Sequence, residues 1–181
     1  MIEGDVVGLR AIERNDLPRL LAWRNRPEFR RYFREFRELS TAQQEQWYDS
    51  KVLGDPAVRM FAVVDRQSGA LLGACGLCYI DWVNRTADFS IYIGHDHVYI
   101  DKHYAVDAGR VLLGYGFGEL GLHRIWCEIY DFDEAKRELL PALGFALDGR
   151  HRETHWAEGA WHDSLFYGIL DREFAAASGR S

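Results

Sequence analysis

The side chains best placed for chemistry in this 181-residue chain lie on two short strand-like runs that flank one helix. In Ala87–Ile93, alternation puts Ala87, Phe89, Ile91 and Ile93 on one face and Asp88, Ser90 and Tyr92 on the other. In Arg124–Tyr130, Ile125, Cys127 and Ile129 oppose Trp126, Glu128 and Tyr130. Each run therefore carries a carboxylate and a tyrosine on its polar face, groups that can take or give a proton. Between them, Tyr104–Leu120 has mainly three-to-four apolar spacing through Val106, Gly109, Val111, Leu112, Leu113, Phe117 and Leu120, and Gly121 follows as a stop. Strand, loop, helix, strand is a βαβ-like unit. The start of its helix turns free N–H groups and a positive dipole end toward whatever lies above the sheet, which makes it a place for an anion.

Two other clusters invite chemical readings. His95-Asp96-His97, with His103 nearby in sequence, has histidines at i and i+2 around a carboxylate and could ligate Zn²⁺. It lacks a second cluster, and a polar loop carrying histidines accounts for it, as it does for His151 and His155 on a later strand. No metal is expected. Cys75-Gly76-Leu77-Cys78 is formally C-x-x-C, but it lies inside an apolar strand-like run and not at a helix start, so it reads as structural. With Cys127, three cysteines make no disulfide framework.

The elements that must position these residues follow from periodicity and punctuation. Val6–Ile12 reads as a strand, and Asn15 or Asp16 caps a helix to Trp23 with Pro18 in its first turn. Ser40 or Thr41 with Gln43 or Gln44 is a capping box opening a helix to about Leu53. Met60–Asp65 and Leu71–Ile80 form a hairpin around Gln67-Ser68-Gly69, and Asp81–Arg85 turns into Thr86–Ile93. After Arg124–Tyr130 come a helix from Asp133 to Leu143 and two strands, about Ala146–Ala157 and His162–Leu170. The fold class is α+β: one domain over residues 1–173, with residues 174–181 a small, polar, frayed tail.

Bulk properties narrow the partners. Apolar residues make up 48% and charged residues 28%, ordinary values for a globular domain. A net charge of −6 gives no basic footprint for nucleic acid and leans toward cationic partners such as amines. No apolar run approaches a membrane span and no signal-peptide core is present, which leaves the cytoplasm by default.

The strings A-D-F-S-I-Y-I, K-H-Y-A-V-D-A, G-F-G-E-L-G-L-H-R-I and D-E-A-K-R-E-L-L-P-A-L-G-F resemble the GNAT acyltransferase superfamily, and within it the branch that acetylates protein N-termini, polyamines and amino sugars. The resemblance runs from Val7 to Leu170. It implies a single GNAT-like domain, a mixed and mostly antiparallel twisted sheet of about seven strands with helices on both faces. It also implies an N-acyltransferase that moves an acetyl or other acyl group from acetyl-CoA, as co-substrate, to a primary amine by direct attack. The acceptor would be a small-molecule amine or a protein N-terminus, with neither nucleic acid nor membrane as partner; the branch is compatible with a homodimer.

The same resemblance assigns expected roles. The two strands should splay around a pantetheine arm, with their polar faces lining the gap. Asp88 falls on an acidic position of the family and is the first candidate for general base, with Glu128 second. An aspartate of ordinary pKa near 4 is a poor base for an ammonium near 10, so it would need a relaying water or a raised pKa. The family's acid tyrosine is replaced by Leu140, leaving Tyr130, Tyr104 or water to protonate the thiolate. Cofactor contacts would come from Ile91, Tyr92 and Ile93, from Lys102, His103, Tyr104, Ala105 and Val106, and from Asp133, which stands where an asparagine is usual.

Aligned to the family's Q/R-x-x-G-x-G/A diphosphate loop, this chain has Ile100 at the first position, His103 at the first glycine and a negative Asp101 between. His103 would be strained if its φ were positive. Such a loop keeps two alternatives open, a different acyl donor or a non-catalytic binding module. Finally, Arg30–Arg37 falls where the family covers its acceptor, making Tyr32, Arg34, Arg37 and Ser90 acceptor candidates. Four arginines there would suit an acceptor bearing phosphate or carboxylate.

Overall fold

A computed structural model describes residues 1–177. Eight strands form one sheet in the order β1-β2-β3-β4-β5-β6-β8-β7. They are β1 (Ile2–Glu3), β2 (Val7–Ala11), β3 (Arg59–Asp65), β4 (Leu71–Asp81), β5 (Thr86–Ile93), β6 (Arg124–Tyr130), β7 (Ala146–Ala157) and β8 (Ala160–Leu170). Every neighbouring pair is antiparallel except β5 and β6. The expected seven strands become eight because β1 has two residues, too few to carry an alternating pattern.

Strand parity sorts the core. Ala87, Phe89, Ile91 and Ile93 of β5 and Ile125, Cys127 and Ile129 of β6 pack on the sheet face covered by α4 (Tyr104–Gly114) and α5 (Glu134–Ala142). The other face holds Ala62, Ala74 and Tyr92 under α1 (Leu17–Arg24), α2 (Pro27–Arg30) and α3 (Thr41–Trp47). The capping box at Ser40 and Gln43 is formed in both directions, and α3 runs on as π-helix over Tyr48–Leu53. The long helix is also broken in character. It is α-helical to Gly114, π-helical over Tyr115–Glu119, and ends at Gly121, whose left-handed φ of 64° favours glycine. Cys75 and Cys78 are free thiols three residues apart on β4, and burial lifts both; Cys78 is pushed up to about 12.

The expected frayed tail is corrected for its first part. Residues 171–177 form α6, and Phe174 packs on Phe117 with ring centroids 5.3 Å apart. Residues 178–181 lie outside the described residues. A second contact escaped the pattern altogether. Buried Asp107 on α4 accepts backbone N–H bonds from Asp5, Val6 and Val7 at 3.1, 2.7 and 2.9 Å, tying the N-terminal strands to the central helix. Gly4 permits that approach, since a Cβ there would lie 2.6 Å from the Asp107 Oδ2. Hydrogen bonds to a charged group contribute about 1.5–3 kcal/mol each, and water can replace only part of that. Asp107→Ala is therefore expected to cost about 3 kcal/mol in urea denaturation, and a cost below about 1 kcal/mol would remove this anchor from the account.

Candidate active site

The chemistry-bearing side chains converge where β5 and β6 part. The two strands pair only at Thr86–Arg124, Ala87–Ile125 and Asp88–Trp126, then separate. Beyond that point the edge of β5 has no strand partner on this side, which is the expected splay. The Ile93 N–H donates to the Tyr99 carbonyl at 2.8 Å, and the next amide, Gly94, points the other way to Leu72. By the same alternation, Phe89 and Ile91 turn their backbone toward the gap. Side chains of Ile91 and Ile93 are in the core, and Tyr92 is buried on the opposite face against Phe33.

Beside the gap is a cavity of about 340 Å³ whose wall includes Asp88, Ser90, Glu128, Tyr32, Arg34 and Lys136. A larger open depression on the β7–β8 hairpin, lined by His151, Arg152, Glu153 and Asp163, touches none of them. Asp88 sits at the fork and is only 5% exposed. Its carboxylate accepts a 2.8 Å bond from Arg34 Nη1, while Arg34 Nε lies 3.3 Å from Glu128 Oε2. The guanidinium is flanked by the rings of Tyr79 and Trp126 at 5.8 and 5.7 Å. Glu128 is further fixed by the Ser164 hydroxyl at 2.6 Å, itself 2.6 Å from Thr154 Oγ1. Burial lifts the Asp88 carboxyl above its ordinary value; Arg34 opposes the shift without cancelling it. A carboxylate with that history is a better base than an exposed one.

Other expected site residues fall elsewhere. Arg37 lies outside this cavity wall and chelates Glu35 through two bonds at 2.8 and 2.6 Å. Its neighbours are also spoken for, with Arg30 near Glu38 at 3.8 Å and Arg31 on Glu158 at 3.1 Å. All four arginines of the stretch thus face carboxylates. Tyr130 also lies outside the wall, stacked on His155 with centroids 3.7 Å apart and an interplanar angle of 7°; burial raises its hydroxyl. Asp133 is buried as the N-cap of α5. It accepts from the Lys136 backbone N–H at 3.1 Å and from the Tyr99 hydroxyl at 3.2 Å. The Tyr99 ring stacks on Tyr32 at 4.4 Å, so the cavity wall and the α5 cap form one aromatic block.

The start of α4 is already occupied. Asp101 accepts backbone N–H bonds from His103, Tyr104 and Ala105 at 2.9, 2.7 and 2.8 Å. Lys102 reaches away to Glu138 at 2.9 Å with its side chain 90% exposed. Val106 and Tyr104 are partly buried against the core, with Tyr104 also 5.0 Å from the His103 ring. His103 has φ −114° and ψ −69°, so the backbone strain expected for a left-handed residue does not arise. His95 and Asp96 pair at 3.3 Å, and the described residues contain no group of three side chains fit to hold a metal.

Lys136 is the residue that pattern-reading passed over. It is 7% exposed, with Nζ 5.6 Å from the Tyr99 ring, and its ammonium forms no ion pair among the described residues. The signal was available: 136, 139, 140 and 143 are spaced i, i+3, i+4, i+7, which puts this lysine on the apolar stripe of α5 with Leu139, Leu140 and Leu143.

Comparison with known proteins agrees with this geometry. The family described as the acetyltransferase (GNAT) domain matches residues 7–146. A spermidine N(1)-acetyltransferase of Vibrio cholerae is 30% identical over 166 residues, covering 92% of this chain and 94% of the relative. An uncharacterised N-acetyltransferase of Bacillus licheniformis is 27% identical over 169 residues, with 92% and 94% covered. The crystal structure of the Vibrio cholerae spermidine N-acetyltransferase in complex with CoA and spermine superposes with a TM-score of 0.84 at 29% identity. That match covers 93% of this chain and 97% of the other. No described helix is long and apolar enough to cross a membrane. With the matched domain spanning most of the chain and the β5–β6 fork in place, the protein belongs to the GNAT acetyltransferases, enzymes that carry an acetyl group from acetyl-CoA to an amine.

Proposed function

We propose that the acceptor is a small cationic amine that enters the 340 Å³ cavity and meets Asp88, with Glu128 holding it in place. The observation that carries this reading is Arg34. Its guanidinium lies across both carboxylates of the fork, on a side chain 41% exposed, as the ammonium of an acceptor would. A protonated amine can exchange with it, and the two acidic groups then orient the amine and strip its proton. An acceptor bearing phosphate or carboxylate would instead bring its charge against Asp88 and Glu128.

Acetyl-CoA fits the fork in one part. The free β5 edge at Phe89 and Ile91 offers backbone groups to the amides of a pantetheine arm, in the manner of a strand partner. When bound, acetyl-CoA supplies the acyl thioester. The chain's own residues do the rest: Asp88 takes a proton from the amine, directly or through water, and its upward-shifted pKa narrows the gap to the ammonium. Lys136 holds a positive charge and a proton at the α5 wall, where negative charge develops on the departing sulfur. Tyr32 and Ser90 complete the acceptor wall. A homodimer belongs to the same reading, supported by the β7–β8 edge, where Trp156 and Trp161 are each 58% exposed and pack edge to face.

The test is acetyl transfer from acetyl-CoA, followed by thiol release, to spermidine, to amino-terminal peptides and to amines carrying a carboxylate. Turnover is expected to be fastest with spermidine. Transfer to the acidic amines alone would overturn the cationic acceptor, and transfer to peptides alone would move the assignment to protein N-termini.

A further inference from the structure

We propose that Asp101 is an internal competitor for the diphosphate of the acyl donor and sets which thioesters this chain accepts; the proposal rests on the acyl-transfer reading above. Three consecutive N–H groups at the start of α4 converge on one carboxylate, at 2.9, 2.7 and 2.8 Å. This is the point of the fold where a helix dipole and free amides favour an anion. Here the anion is part of the chain. A diphosphate reaching these amides must first displace Asp101, and the displaced carboxylate remains tethered nearby as a like charge.

The lysine next to Asp101 in sequence is held out at the surface. Lys102 is engaged with Glu138 at 2.9 Å, and Ile100 contributes no charge. The gap itself is different. The β5 edge that faces a pantetheine arm is unblocked at Phe89 and Ile91 and owes nothing to Asp101. The two halves of the donor site are therefore decoupled, with the pantetheine half open and the diphosphate half closed. Donors without a diphosphate keep their full affinity, whereas coenzyme A thioesters lose about ten- to a hundredfold, the combined effect of a displaced cap and a like charge at close range.

The experiment compares acetyl-CoA with S-acetylpantetheine, which shares the thioester and the arm but carries no diphosphate. KM is measured with spermidine for the wild type, Asp101→Ala and Asp101→Asn, together with calorimetric binding of coenzyme A. The wild type is expected to distinguish the two donors by less than about tenfold. Asp101→Ala should lower KM for acetyl-CoA by about ten- to a hundredfold and leave S-acetylpantetheine within about twofold. Asp101→Asn keeps an acceptor oxygen on the amides without the charge and should fall between. A loosened helix would shift both donors together, and such a parallel shift would overturn the proposal. So would a wild type that prefers acetyl-CoA more than a hundredfold with no gain in Asp101→Ala.

The two readings also fail separately. Tighter coenzyme A binding in Asp101→Ala, with no transfer from either donor, sustains the competitor and sinks the acyl-transfer reading. Transfer from both donors with an unchanged ratio does the reverse. Coenzyme A binding to none of the three proteins, with no transfer from either donor, overturns both.

Discussion

Asp88→Asn is expected to lower kcat by about 10²- to 10⁴-fold, the usual contribution of a positioned general base, while the KM for acetyl-CoA stays within a few-fold. The asparagine keeps the shape and the 2.8 Å contact with Arg34, and Arg34 keeps Glu128. Only the ability to take a proton is lost. The pH dependence separates this from structural damage. Burial raises the Asp88 pKa above its model-peptide value of 3.8, so the folded protein binds that proton more tightly than the unfolded chain. Stability from this group is accordingly present at low pH and lost as pH rises from 3.8 through the raised folded value. At neutral pH the variant should match or exceed the wild type in urea midpoint, and at acid pH the difference should vanish. The wild-type kcat/KM should fall on acidification at a higher pH than an exposed aspartate would give, and that limb should be absent from the residual activity of Asp88→Asn. Unchanged turnover in the variant would transfer the role of base to Glu128, and a loss of turnover matched by a loss of stability would reduce Asp88 to a packing group.

How far this site can be read without coordinates depends on the kind of information each residue carries. Strand parity is local, so the opposition of Asp88 to Phe89 and of Glu128 to Cys127 could be read from alternation, and the boundaries of β5 and β6 match the expected ones. Punctuation is local too, which is why the Ser40–Gln43 capping box and the Gly121 stop were legible. Ion pairing is not local. Arg34 and Asp88 are 54 residues apart, and no pattern in the basic stretch told Arg34, which crosses the fork, from Arg37, which folds back on Glu35 two residues away. Asp101 was visible as a charge in the wrong place, but its carboxylate bonding to three amides depends on how the loop turns into α4. The reading of His103 assumed the geometry of a glycine, and the loop adopts another that any residue can hold.

Lys136→Met is expected to separate catalysis from stability in the opposite direction to an ordinary core substitution. The ammonium is buried beside Tyr99, with Asp88, Asp133 and Cys127 near enough to feel its charge but none in ion-pair contact. A buried charge without a contact partner is costly, and an unbranched apolar side chain of similar length fills the same space on the α5 stripe without that cost. Apolar packing alone gives no reason for a lysine here. Methionine should leave the urea midpoint unchanged or raise it. Catalysis should suffer, because the cavity loses the one cation on its α5 wall that is not committed to a carboxylate. Removing a single preorganised donor from such a position costs about 10²–10³ in kcat. Lys136→Arg keeps the charge but brings a larger planar group into a packed wall, and should recover only part of the loss. The leaving group provides the sharper readout. If Lys136 stabilises charge on sulfur, Lys136→Met should become more sensitive to thiol pKa across a series of acyl thioesters, with acidic thiols least affected. Equal losses for every thiol would assign Lys136 to shaping the cavity, and a lowered midpoint with unaltered kcat would make it a structural residue after all.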